Sequence, residues 1–376
     1  MSLKAPLLAV ALCLVAAFAQ DSTISTLKII FAGDLMGHVT QINAAKKEAN
    51  GKGYNYRPVY KHLESYFSSA DLAVINLEHP LAGEPYTGFP QFSSPDESVF
   101  AIKDVGFNVI ATANNHSLDK GKHGLERTLS VLDSMGLENF GIYRHPAERD
   151  NRYPLFIEKS EMKIAFLNYT YGTNLLVEEE PNIVNRIDTA LISEDLKKAK
   201  LASPDFIIVF MHWGSEYENT QNQWQKNLAL FMAANGVNLI IGSHPHVVQP
   251  FDKIYTPSAH DSVPVIYSLG NFFSNQRNRY TDGGIIFEVT LQKTSRVGRR
   301  GGISYKTDVA SCGYMPFWVY RHTKNGGNVF RLLPECKAYP DACKEYKMNA
   351  ADKAAMELFF DDTKKLLHNL PIISPY

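Results

Sequence analysis

Short runs rich in Val, Ile and Leu recur along the chain, and stretches with helical spacing separate most of them. "TLKIIFA" (26–32), "LAVIN" (72–76), "FNVIATA" (107–113), "MKIAFLNY" (162–169), "FIIVFMH" (206–212) and "VNLIIGS" (237–243) read as strands. "PVIYSLG" (264–270) and "GGIIFEVTL" (283–291) come next. The runs are continuous rather than alternating, which suits sheets buried on both faces. Helices are expected around 57–68, 96–104, 122–135, 190–201 and 222–235. Leu125, Leu129 and Leu132 give the helix at 122–135 an apolar stripe. This alternation specifies α/β layers. Residues 264–320 carry few helical patterns and read as an antiparallel edge or a second sheet. The basic, Gly-rich "KTSRVGRRGG" (293–302) reads as an exposed hairpin loop, and 349–370 as one amphipathic helix.

The informative residues stand just past the strands. The first apolar run leads to Asp34 and His38, and the second to Asn76, Glu78 and His79. The third leads to Asn114, Asn115, His116 and Asp119. "FIIVFMH" ends on His212 with Glu216 just beyond, and "LIIGSHPHV" presents His244 and His246. In open α/β sheets, ligands bind beyond the carboxyl ends of the strands. Singly, each cluster fits a turn, a cap or a strand face. Together they place carboxylates, amides and imidazoles at one edge, a set suited to borderline divalent ions such as Mn²⁺, Fe²⁺ or Zn²⁺. His244 and His246 can address neighbouring ions, with Pro245 stiffening the link. Two ions side by side generate a hydroxide at neutral pH and clamp attacking and leaving oxygens.

The formal net charge of the 376 residues is −1, so no overall basic field calls for nucleic acid. "MSLKAPLLAVALCLVAAFAQ" has the layout of a cleaved signal peptide over 1–19, ending Ala17-Phe18-Ala19. Its apolar run is shorter than the ~20 residues of a membrane span. The expected chain is exported, periplasmic or extracellular and associated with the cell envelope, with no stable transmembrane span after cleavage. Cys336 and Cys343 can close a short disulfide loop in an oxidising compartment or remain free with Cys312.

The order of motifs resembles the CapA/PgsA poly-γ-glutamate capsule-synthesis family, which is metallophosphoesterase-like (calcineurin-like). The matching segments are "GDLMGH", "NLEHPL", "NNHSLDKGKHG", "HWGSEY", "GSHPHVVQP" and "YSLGNFF". The resemblance implies a four-layer αββα sandwich over 20–292, with a C-terminal extension of strands and a helix over 293–376. It implies two divalent ions. Asp34 and His246 would hold one, with His38 as a further candidate. Asn115, His212 and His244 would hold the other, and Glu78 would bridge. His116 would protonate a leaving group. Asp119 would either orient His116 or cap the helix at 122–135. Asn76, Glu216 and Asn271 are expected around these residues or against substrate; ordinary loop hydrogen bonding is the alternative for Glu216 and Asn271.

The chain departs from the phosphoesterase pattern in three places. His38 stands four residues after Asp34 rather than two, Glu78 replaces an Asp, and Asn114 replaces a Gly. Two functional readings result. One is a secreted metal-dependent hydrolase acting on a phosphoester or an anionic envelope polymer. The other is a non-catalytic accessory protein in capsule or poly-γ-glutamate synthesis and export, within a membrane complex. Nothing in the chain resembles a P-loop or an ATP-grasp ligase.

Overall fold

The computed structural model describes residues 23–256, 262–297, 302–324, 326–337 and 340–374. The expected signal peptide lies outside these residues. Two large sheets, of eight and six strands, form the centre of the fold. In the first, Ile24–Leu35 runs parallel to Leu72–Leu77, which runs parallel to Val109–Ala111. The other side of Ile24–Leu35 pairs antiparallel with Gly283–Val297, followed outward by Ile303–Lys324 and Gly327–Leu333. In the second sheet, Met162–Thr170, Phe206–His212, Leu239–Ser243 and Val263–Leu269 are parallel neighbours. Antiparallel strands Leu155–Lys159 and Val248–Ile254 form its edges.

Side-chain alternation explains the layering. In the first strand, Ile29 and Phe31 join the core between the sheets, where they meet Phe166, Ile208 and Ile240. Ile30 and Ala32 point the other way, into a core shared with Ala44, Ala45, Val99 and Ile102 of the outer helices. On the far side of the second sheet, Ile192 and Leu196 of helix Thr189–Leu201 and Leu228 and Met232 of helix Gln223–Ala234 complete that core. The result is the four-layer αββα sandwich.

Three expectations need correction. Residues 57–68 form a 3₁₀ turn, Arg57–Tyr60, and one α-turn, Glu64–Phe67, rather than a helix. Tyr56, Tyr60 and Phe67 are buried there, with Tyr60 stacked on Phe272, so aromatic packing prevails over helical periodicity. Strand Val263–Leu269 is an interior parallel member of the second sheet, not an antiparallel edge. The first half of the basic stretch at 293–302 is ladder rather than loop, since Lys293–Val297 pair antiparallel with Ile303–Thr307 as the two arms of a hairpin; residues 298–301 lie outside the described residues. The terminal amphipathic helix is Ala350–Leu366, and Met356, Phe359 and Phe360 pack it on Trp318 and Tyr320. Cys336 and Cys343 are disulfide-bonded, with Cα atoms 5.6 Å apart, and Cys312 is free. Among the described residues no helix is long and apolar enough to cross a membrane.

Gly242 marks how closely the second sheet is fitted. A Cβ there would lie 1.9 Å from the Tyr267 carbonyl oxygen and 2.6 Å from Trp213 Nε1. Gly242→Ala is expected to destabilise the protein by about 1–3 kcal/mol, the range for overpacking a filled core. Chemical denaturation of wild type and variant checks this.

Candidate metal centre

The parallel strands bring their carboxyl ends to one edge of the sandwich. From the first sheet come Asp34, Glu78 and Asn115; from the second come His212, His244 and His246. Local backbone features aim these groups. The ladder between the first strand and Leu72–Leu77 shifts register between Ala32 and Asp34, a bulge at Gly33 that re-aims Asp34. A Cβ on Gly33 would lie 1.9 Å from Gly270 O, so only glycine permits this approach. In the second sheet, His244 and His246 both have left-handed backbone, with φ of 97° and 58°. Each such conformation costs about 1–3 kcal/mol and persists only where its surroundings impose it. Here the His244 N–H points to Asp34 Oδ2 at 3.3 Å, and Pro245 O accepts from Tyr217 N at 2.8 Å.

Two groups of donors result. Glu78, His212 and His244 lie with ligand atoms within 4.8 Å of one another, as do Asp34, Glu78 and His246. All are buried, and Glu78 belongs to both groups. Glu78 Oε1 is 3.6 Å from His212 Nε2 and 3.8 Å from His246 Nε2, beyond hydrogen-bonding reach. Neither Glu78 oxygen has a hydrogen-bond partner, nor has His244 Nδ1. Buried polar atoms left without partners are costly. A cation between them removes that cost, so the residues fit a divalent ion in each group.

The surrounding contacts orient these donors. Asn76 Nδ2 donates to Asp34 Oδ1 at 2.7 Å. His212 Nδ1 lies 3.0 Å from Ser243 Oγ, and its Nε2 is 2.7 Å from Asn115 Oδ1. His246 Nδ1 is 3.1 Å from Asn271 Oδ1, which leaves Nε2 toward Glu78. Such outer contacts fix which imidazole nitrogen faces an ion. Asn76 and Asn271 thus contact Asp34 and His246. Glu216 is exposed.

One expected residue, His38, is placed differently, and Asp119 takes one of its two expected positions. His38 is not brought into either donor group. It forms the N-cap of helix Val39–Glu48, with Nδ1 3.0 Å from Gln41 Oε1. Four residues beyond Asp34, it stands past the strand end at Leu35 and opens the helix. Asp119 does not cap the helix Gly121–Ser134, whose N-cap is Lys120. Asp119 Oδ2 instead accepts from His116 Nδ1 at 2.8 Å and from Phe92 N at 2.7 Å.

Three further contacts surround these residues. The aromatic stretch at 86–95 supplies Phe92, whose ring meets His116 edge-on with centroids 4.7 Å apart. Tyr171 lies 4.4 Å from His244 between centroids, and Asn174 bonds Asn115. Tyr171 and Asn174 both come after strand Met162–Thr170. The strand-end rule, applied to this sixth run, would have found them.

Burial dominates the electrostatics. It holds the His244 and His79 imidazoles down near 3 and His38 near 4, and pushes His212 well below the usual range. These rings are neutral donors at ordinary pH. Burial, then the neighbouring Asp34, pushes the Glu78 carboxyl well above its usual value.

A four-layer αββα sandwich with two groups of carboxylate and imidazole donors sharing Glu78 at its strand ends is a metallophosphoesterase-like fold. The chain belongs to the family of the bacterial capsule synthesis protein PGA_cap, which matches residues 28–276. It is 28% identical over 253 residues to the capsule biosynthesis protein CapA of Bacillus anthracis, covering 64% of this chain and 59% of that one. It is 26% identical over 272 residues to the PGA biosynthesis protein CapA of Bacillus subtilis (strain 168), covering 70% and 67%. The chain therefore spans less than two thirds of the Bacillus anthracis relative. Among solved structures it is similar to the calcineurin-like phosphoesterase YfkN of Bacillus subtilis, with 15% identity, TM-score 0.42, and 78% of this chain and 91% of that one covered. It is also similar to the NAD nucleotidase of Haemophilus influenzae, with 13% identity, TM-score 0.45, and 91% and 61% covered.

The depressed imidazoles make a pH prediction for the metal-stripped protein. As pH falls below about 6.5, the unfolded chain takes up protons at these histidines before the folded one does. Their stabilising contribution is complete above that pH and is lost as pH falls toward 4 and 3. Glu78 works in the opposite sense but is one group against four. The melting temperature is expected to fall steadily from pH 7 to pH 4, as read by differential scanning fluorimetry.

Proposed function

We propose that this chain is a metal-dependent hydrolase of the cell envelope, acting on a phosphoester or related anionic bond. The observation that carries this reading is Glu78, fully buried between two sets of imidazole and carboxylate donors with neither oxygen hydrogen-bonded. Glu78, Asn115, His212 and His244 would hold one divalent ion, and Asp34, Glu78 and His246 the other, of Mn, Fe or Zn type. When bound, such a pair polarises a phosphoryl or acyl oxygen and lowers the pKa of water.

The chain's own residues would do the rest. His116 would deliver a proton to the departing oxygen from Nε2. The ring would do this as the doubly protonated imidazolium: Nδ1–H is held by Asp119 Oδ2 at 2.8 Å, so the Nε2 proton is the one given up, and the ring is left neutral. Phe92, edge-on to the ring, would hold it against rotation. Asn76 and Asn271 would keep Asp34 and His246 aimed at the donor groups. Substrate would enter beside Tyr171 and Tyr217, both exposed, whose rings lie 4.4 Å from His244 and 6.0 Å from His246. The expected signal peptide fits an exported protein, and the family fits an anionic envelope polymer or its precursors as substrate.

A second reading is favoured by the relatives, which are named for capsule and PGA biosynthesis rather than for hydrolysis. In it the chain is an accessory protein of capsule or poly-γ-glutamate synthesis and export, working within a membrane complex. Polymer binding separates the two readings. Equal affinity of metal-free and metal-loaded protein for poly-γ-glutamate, with no turnover of phosphoester or γ-glutamyl substrates, selects the accessory role.

Two substitutions test the hydrolase. Glu78→Gln is expected to lose bound metal, measured as ions per chain by elemental analysis. His116→Ala is expected to keep its metal while turnover falls about 10²–10⁴-fold, the usual share of a general acid. Turnover that survives His116→Ala unchanged removes His116 from the chemistry.

A further inference from the structure

The loop after strand Met162–Thr170 belongs to the second sheet but reaches donors on the first. Asn174 has left-handed backbone, φ 50°, and so has Leu175, φ 65°. The loop is braced from both sides. Leu176 N donates to Thr173 O at 2.9 Å, and Arg186 Nη2 donates to Thr173 Oγ1 at 2.7 Å. The same Arg186 pairs with Glu178 at 2.9 Å. This scaffold holds Asn174 Oδ1 3.2 Å from Asn115 Nδ2. Asn174 Nδ2 comes within 3.5 Å of His116 Nδ1, whose proton is already directed to Asp119.

The Asn115 amide has two unlike ends. Its Oδ1 lies 2.7 Å from His212 Nε2 and faces the donor group. Reversed, it would present N–H groups there and repel a cation. Reversal would also set Asn115 Oδ1 against Asn174 Oδ1, two acceptors with no proton between them. With Asn174 Oδ1 turned toward Asn115, only the observed orientation of the Asn115 amide makes that bond.

We propose that Asn174 is a positioning residue: its side-chain carbonyl locks the Asn115 amide with oxygen toward His212 and thereby sets the cation affinity of that donor group. The inference rests on the metal-centre reading proposed for this site. It gives the left-handed backbone at Asn174 a purpose, since asparagine adopts this conformation more readily than most residues and carries the required acceptor. It also makes the loop of the second sheet a determinant of a donor on the first.

The test is calorimetric titration of Mn²⁺ into the metal-stripped full chain. Three proteins are compared: wild type, Asn174→Gly and Asn174→Asp. Glycine keeps the left-handed backbone and removes the amide, so the metal-free melting temperature should stay close to wild type. Its Mn²⁺ affinity should fall about 10–100-fold, the usual effect of losing an outer contact to a ligand. Aspartate retains an oxygen to accept from Asn115 Nδ2 and should bind Mn²⁺ at least nearly as tightly as wild type. Wild-type affinity in Asn174→Gly overturns the proposal, as does a loss in Asn174→Asp as large as in Asn174→Gly. A wild-type chain that takes up no Mn²⁺ overturns the metal-centre reading and this inference with it.

Discussion

A carboxylate buried without a partner is among the least tolerable features a folded chain can carry, and Glu78 is such a group. Its two oxygens have no hydrogen bond, and Asp34 stands close enough to push its proton affinity up. An uncompensated buried charge costs several kcal/mol, so the group either takes a proton or takes a cation. Several neighbouring groups suit a cation. The imidazoles of His212 and His244 are held neutral by burial, with lone pairs rather than charges to offer. Asn76 and Asn271 spend their polar atoms on aiming Asp34 and His246. The left-handed backbone at His244 and His246 is the conformational cost of bringing two rings from one short segment to this point.

Much of this was legible in the chain. Continuous Val-Ile-Leu runs gave parallel strands buried on both faces, and polar residues just past five of them marked the edge where they meet. The features that escaped did so for physical reasons. The segment at 57–68 carries helical spacing, but its tyrosines and Phe67 are drawn individually into a core that a regular helix would not fill. Strand Val263–Leu269 looked peripheral because little helical sequence comes after it; its neighbour in space, Leu239–Ser243, is reached through the antiparallel excursion Val248–Ile254.

The site shows the same division. Asp34, Glu78, His212, His244 and His246 could be named because strand ends have fixed destinations in a layered sheet. His38 could not be placed, because a bulge at Gly33 changes the direction of the chain before it, and a register shift leaves no mark in hydropathy. Asp119 had two chemically sound roles from sequence. The choice between capping and orienting His116 depended on which residue first adopts helical backbone, a matter of one position. Asn174 also stands past a strand end, but its contact is with a residue fifty-nine positions away, a pairing that no local pattern marks.

The distribution of donor types ties the centre to the fold as a whole. Oxygen donors, Asp34, Glu78 and Asn115, come from the first sheet, and nitrogen donors, His212, His244 and His246, come from the second. Neither sheet alone carries a complete set. A cation bound here would therefore bridge the two layers, and its binding energy would add directly to the stability of their packing, because only the docked sandwich presents both halves. The converse also holds. Without a cation, carboxylates on one layer face imidazoles on the other across 3.3–3.8 Å, too close for water to solvate each group fully and too far in most pairs for a strong hydrogen bond. The apolar core between the sheets must hold that seam closed. Phe31, Val74 and Phe287 of one layer packed on Phe166, Ile208 and Ile240 of the other supply the force. The core between the layers is in this sense part of the candidate centre, since it holds the two halves of the donor set in register.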